Sequence, residues 1–166
     1  IEILKKFEGF SPYAYYDYGQ YTIGYGTSCG QYEYPNGITE EQGEELLRNR
    51  LKYTAAALNE FAAKWSLTFN QGQFDALMLF SFNVGEGWMK DPEARFRQAI
   101  IDQKTGNDLV YFMTLWSIAG TSPHRGLIGR RLCEADMYLN GNYSNVAPAN
   151  YNYILLNAQE GKVEDR

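Results

Sequence analysis

The sequence predicts an α+β fold, mainly helical, with a small antiparallel β-sheet lobe near the N-terminus and a helical lobe after it. Three observations carry that expectation. Tyrosine, threonine and glycine crowd into Tyr13–Tyr34, a stretch punctuated by Gly19, Gly24, Gly26 and Gly30 as tight hairpins are. The segments that follow carry apolar side chains at helical spacing. Two capping signals, Thr39 with Gln42 and Asn70 with Gln73, mark the starts of helices.

Taken in order, Ile1, Leu4 and Phe7 predict a short helix over residues 1–8, stopped by Gly9. Glu8 then sits at a helix C-terminus, where the helix dipole disfavours a negative charge. Tyr15-Tyr16 and Tyr21-Thr22 flank a turn at residues 17–20, and Pro35-Asn36-Gly37 closes a β lobe of about 10–37. A helix from Thr39 to about Lys64 carries one apolar stripe, Leu46, Leu47, Leu51, Ala55, Leu58 and Phe61, and is long enough to bridge two lobes. Phe74 to Val84 is apolar nearly all round, which predicts a central buried helix ended by Gly85. Asp91-Pro92 predicts the next helix start, because proline suits the first helical position. Another helix is expected from about Asn107 to Trp116. A last one is expected from Ser122-Pro123 to Asn140-Gly141. The helical lobe is thus about 70–141, and the polar residues 142–166 read as a loose tail.

A chain of 166 residues is one domain, or one divided into two lobes, and can bury a real core. Hydrophobic content of 45% with 21% charge is globular. The longest apolar run, about Ala76 to Phe82, is far too short to span a bilayer, so no membrane insertion is expected. With no visible signal peptide and Ile at position 1, the chain reads as one domain of a larger chain or assembly. A net charge of −5 argues against a general nucleic-acid binder and gives no long-range attraction to anionic polymers, bacterial walls included. Cys29 and Cys133 are too distant for a metal motif and are expected as unpaired thiols, a disulfide requiring an oxidising compartment. One histidine argues against a zinc site, and neither a metal nor a cofactor is expected.

The chemistry concentrates in the first 27 residues. Glu8 and Asp17 lie on either side of a β-like run of aromatics. A glycosidase needs such a set, one acid, one base and a flat surface for sugar rings. Each residue has a plainer reading. Glu8 is a solvated glutamate at a helix end, Asp17 a turn aspartate bonding its own backbone, and Thr22 a β-branched strand residue. Strands are rich in tyrosine in any case, so only some of the fourteen tyrosines are expected to line a groove.

Glu8, eight residues and Asp17, followed by Thr22-Ile23-Gly24-Tyr25-Gly26, resemble the signature of the phage-type lysozymes, the endolysins and tail-associated muramidases of glycoside hydrolase family 24. The resemblance covers roughly residues 1–141. Ile38-Thr39-Glu40-Glu41-Gln42 resembles the start of that family's interlobe helix. Gln73-Phe74-Asp75-Ala76-Leu77 with Ser81-Phe82-Asn83-Val84-Gly85 resembles its central helix. Ser122-Pro123-His124-Arg125-Gly126-Leu127 and Arg130-Arg131 resemble its late arginine-bearing helix. Each piece is weak by itself, and five in the right order are specific.

The resemblance implies a two-lobed lysozyme-like fold and hydrolysis of the β-1,4 bond between N-acetylmuramic acid and N-acetylglucosamine in peptidoglycan, at the bacterial cell wall. It implies Glu8 as general acid, Asp17 as the carboxylate that activates or positions a water, and Thr22 as the holder of that water. Arg125 would orient Glu8, with an exposed cap-region arginine as its plain reading. A cation there lowers the carboxyl pKa, opposite to what a general acid needs. Tyr25, Phe82 and Asn83 are candidate saccharide contacts, the last two alternatively core and helix cap. The family's inversion of configuration calls for carboxylates about 6.5–9.5 Å apart. Two departures stand out. Four residues, not the family's five, separate Asp17 from Thr22, and a one-residue change in a hairpin can turn a side chain to the opposite face. Thr27 stands where the family usually has a histidine, which predicts a changed hydrogen bond. The alternatives are a wall-binding module that kept the fold without the chemistry, and a glycosidase acting on chitin.

Overall fold

The computed structural model describes residues 1–17, 19–119 and 122–149, and its fold is mainly helical α+β. The chain divides into two compact units, Ile1–Ala55 and a second from Ala56 onward.

In the first unit, helix α1 (Glu2–Glu8) buries Leu4 and ends at Gly9, whose N–H donates to the Lys5 carbonyl. Gly9 has φ +69°, a conformation glycine adopts without a Cβ penalty, and the chain passes directly into the sheet. Strands β1 (Ser11–Asp17), β2 (Gln20–Gly24) and β3 (Thr27–Cys29) form an antiparallel sheet in that order. Helix α2 (Glu40–Lys64) opens with the expected reciprocal cap, Gln42 N–H to Thr39 Oγ1 at 3.3 Å and Thr39 N–H to Gln42 Oε1 at 2.9 Å. Its stripe runs through Leu47, Thr54, Leu58 and Phe61, all buried. Leu46, Leu51 and Ala55 are half-buried.

Backbone meets backbone where the sheet rests on α2. A Cβ on Gly24 would lie 3.2 Å from the Gly43 Cα, and one on Gly43 would lie 2.8 Å from the Phe10 ring. Lys5 ties α1 to α2 through Glu44 at 2.5 Å, and Arg48 adds a 2.6 Å contact to the same carboxylate. These hydrogen bonds, the one from Lys5 first, hold the Glu44 carboxyl below the usual range. Gly37 closes the lobe with φ +76°, and an added Cβ would sit 2.7 Å from the Pro12 carbonyl, which itself accepts from Ile38 N–H. Gly37→Ala is therefore expected to cost about 1–3 kcal/mol, read from urea unfolding, and a neutral result would show that the loop has another way to close.

The second unit holds the rest of α2, helix α3 (Gln71–Val84), a 3-10 turn (Gly87–Met89), helices α4 (Arg95–Ile101), α5 (Gly106–Thr114) and α6 (Arg125–Asn140), and a two-stranded ribbon, β4 (Ile118–Ala119) with β5 (Ser122–Pro123). Asn70 and Gln73 cap α3 reciprocally and Gly85 ends it, as the sequence predicts. The core centres on Phe80, whose ring lies 4.3 Å from Phe96 and 5.9 Å from both Trp88 and Trp116. Trp88 is buried and donates its indole N–H to Ser81 Oγ at 3.0 Å.

Two expected helix starts are corrected. Asp91-Pro92 does not open a helix, because the Asp91 carboxylate accepts the Glu93 N–H at 2.9 Å and its carbonyl accepts Ala94 N–H, which makes a turn. The helix begins at Arg95 instead. Ser122-Pro123 does not open α6 but pairs with Ile118–Ala119, and the helix begins at Arg125 with His124 as its cap. The expected loose tail is anchored at its start, since the Tyr143 phenol donates to Asp75 at 2.5 Å and the Asn142 amide to Asp136 at 3.1 Å. Residues 150–166 of that tail lie outside the described residues.

Both cysteines are free thiols, Cys29 half-buried and Cys133 buried in α6. Burial, helped by Glu134 and Asp136, pushes the Cys133 thiol up to about 11. A disulfide reagent at about pH 8 is expected to modify Cys29 in the folded protein and to reach Cys133 only after unfolding. Equal rates at the two thiols would mean that α6 opens readily.

Candidate active site

The hairpin register decides which side chains meet. Strand β1 pairs with β2 through Tyr15 opposite Thr22, Tyr16 opposite Tyr21 and Asp17 opposite Gln20, so the loop holds two residues. Gly19 in that loop has φ +92°, and two-residue hairpin turns demand such angles. Residues directly opposite in an antiparallel pair share a face, as do residues two apart on one strand. Tyr15, Asp17, Gln20 and Thr22 therefore stand on one face, while Tyr16 and Tyr21 stand on the other with their rings 5.2 Å apart. The short hairpin thus leaves Asp17 and Thr22 on the same face. Asp17 is exposed at the tip and Thr22 is buried at 5% exposure against the lobe.

Glu8 is half-buried at the last position of α1, one residue before the Gly9 turn that leads into β1. The Tyr15 phenol lies within reach of the Glu8 charge and of the Asp17 charge. Partial burial raises the Tyr15 pKa first, and the charges of Asp17 and Glu8 raise it further. Both carboxylates therefore act on one hydroxyl. Sequence reading passed over Tyr15, although its place two residues before Asp17 on a strand was a signal for it.

Tyr25 is corrected from groove to core. Its side chain is 5% exposed, the Phe10 ring lies 5.2 Å from it, and the Lys5 ammonium lies 5.3 Å over it. No open ring face remains for a sugar. At the histidine position of the resemblance, the Thr27 hydroxyl is buried and has no hydrogen-bond partner among the described residues. The bond expected to change there is absent.

In the second unit, Arg125 is the exposed first residue of α6. Phe82 is half-buried and Asn83 exposed at the last turn of α3. The Asn83 carbonyl oxygen accepts a 2.8 Å bond from Arg131 Nη2, which leaves its amide nitrogen as the donating end. Behind that bond lies a buried charge cluster the sequence did not announce. Glu134, fully buried, meets Arg130 Nε at 3.0 Å and Arg131 Nε at 2.8 Å. The Arg131 guanidinium also stacks 4.9 Å over Phe80. Among the described residues no group of His, Cys, Asp and Glu could hold a metal ion, and no helix is long and apolar enough to cross a membrane.

A helix-end glutamate with a hairpin aspartate and threonine on one face, in a unit followed along the chain by a helical one, defines a lysozyme-like glycosidase scaffold. The chain matches the phage lysozyme family over residues 5–134 and belongs to it. It is 31% identical over 151 residues to an endolysin of Bacillus phage B103, a match that covers 89% of this chain and 55% of that protein. It spans just over half the length of the endolysins it matches. Among solved structures it is similar to an endolysin from the Escherichia coli phage FAHEc1, with 30% identity, a TM-score of 0.72, and coverage of 86% of this chain and 92% of that one. The muramidase domain of SpmX from Asticaccaulis excentricus is also similar, at 26% identity and a TM-score of 0.71 over 84% of this chain and 93% of that domain.

Proposed function

We propose that this domain is a muramidase. It hydrolyses the β-1,4 bond between N-acetylmuramic acid and N-acetylglucosamine in bacterial peptidoglycan and acts at the cell wall. The shared face of Asp17 and Thr22, with Glu8 acting on the same phenol as Asp17, is the observation that supports it. Glu8 gives its proton to the leaving glycosidic oxygen. Asp17, ionised, takes a proton from the water that attacks the anomeric carbon, and the Thr22 hydroxyl positions that water. A water between two carboxylates predicts inversion of configuration. In the second unit, the Asn83 amide and the Phe82 ring are proposed saccharide contacts. The bonds that hold Asn83 through Arg131 support a fixed donor there.

The test is to incubate the domain with purified peptidoglycan and with chitin oligomers, and to measure new reducing ends. Release from peptidoglycan alone is expected. Sedimentation with the walls and no new ends would mean a binding module, and release from chitin would mean a different substrate class.

A further inference from the structure

We infer that Tyr15 is a positioning residue for the hydrolysis, its phenol O–H donating toward Asp17 and the water that Asp17 activates. The inference rests on the muramidase reading above. The register puts Tyr15 opposite Thr22 and two residues from Asp17, so these three side chains occupy adjoining places on one face. At 43% exposure the ring stands open to solvent, where a bound glycan and its water can reach the hydroxyl.

The chemistry suits the place. A general acid and a general base side by side need their proton affinities pushed apart. Hydrogen bonding to a carboxylate favours its ionised form. A neutral phenol beside Asp17 can orient the water without adding a charge near Glu8. The donor must itself stay protonated. Tyr15 does so, because burial and the two carboxylates all raise its pKa above the ordinary phenol value. A lysine in this place would attract both carboxylates, and a serine is too short to reach diagonally along the strand. Tyr16, the neighbour, projects to the other face against Tyr21 and is the natural control.

The experiment uses Tyr15→Phe, Tyr16→Phe, Glu8→Gln and Asp17→Asn, assayed on soluble glycan chains prepared from peptidoglycan across about pH 4–9, with thermal unfolding of each variant recorded. Tyr15→Phe is expected to lower kcat roughly 10- to 100-fold with KM nearly unchanged. The melting temperature should stay at the wild-type value, so that the loss falls on kcat and not on the fold. A merely structural phenol would instead lower the melting temperature, with no kcat loss at unchanged KM. Tyr16→Phe should leave both quantities unchanged. Wild-type kcat in Tyr15→Phe, or a kcat loss matched by a fall in melting temperature, overturns the inference. If Glu8→Gln and Asp17→Asn are inactive in the same series, the muramidase reading survives that outcome. If those two retain activity, the reading itself falls.

Discussion

Replacing Glu8 by glutamine is expected to lower the rate of wall hydrolysis by at least about 10²- to 10⁴-fold, the range that a positioned acid contributes. Glutamine keeps the size and hydrogen-bonding reach of the side chain but has no proton to give to a leaving oxygen. The fold should be unaffected, since Glu8 lies in the last turn of a short helix whose buried anchor is Leu4. Initial rates of reducing-end release check this, with circular dichroism to confirm that the variant is folded. Binding to insoluble walls should persist, because only the protonated transition state is lost. Lysis at near wild-type rate in Glu8→Gln would sink the mechanism. Asp17→Asn should cost a similar factor.

Replacing Glu134 by glutamine is expected to cost about 3–5 kcal/mol, since it removes the negative charge between two buried guanidinium groups. The carboxylate is fully buried, as is Arg131, and Arg130 is 8% exposed, so water cannot take over. For a chain of this size that loss corresponds to a fall in Tm of roughly 6–20 °C. Glu134→Leu with Arg131→Met should lose less than the two single changes added together, because the pair is then removed rather than broken. A Glu134→Gln protein that melts within about 2 °C of the parent would mean that neighbouring acceptors, such as the Leu79 carbonyl and Asn83, already satisfy both arginines.

The elements that sequence reading placed well are those set by local chemistry. The reciprocal caps at Thr39 and Asn70 and the stop at Gly85 depend on residues within a turn or two of each other. The hairpin at residues 17–20 follows from Gly19 between two β-branched and aromatic runs. The errors came where two local rules compete. Asp91-Pro92 satisfies both a helix start and an Asx turn, and the turn won. Ser122-Pro123 had its partner in Ile118–Ala119, a pairing of two short strands that no periodicity reveals. For the site, Glu8, Asp17 and Thr22 were legible as a spacing, yet only the register could say that Asp17 and Thr22 face the same way. Tyr25 was misplaced because a tyrosine beside glycines looks alike whether its ring meets solvent or a phenylalanine. Nothing in the sequence around Glu134 marks it as fully buried with Arg130 and Arg131.

The two thiols and the indoles have a practical consequence. All three tryptophans, Trp65, Trp88 and Trp116, fall after Ala56, while the more accessible thiol, Cys29, lies before it. A dye attached at Cys29 would report on the first unit while native indole emission reports on the second, with no residue added or removed. The wild-type chain therefore carries a separate optical reporter for the unfolding of each unit.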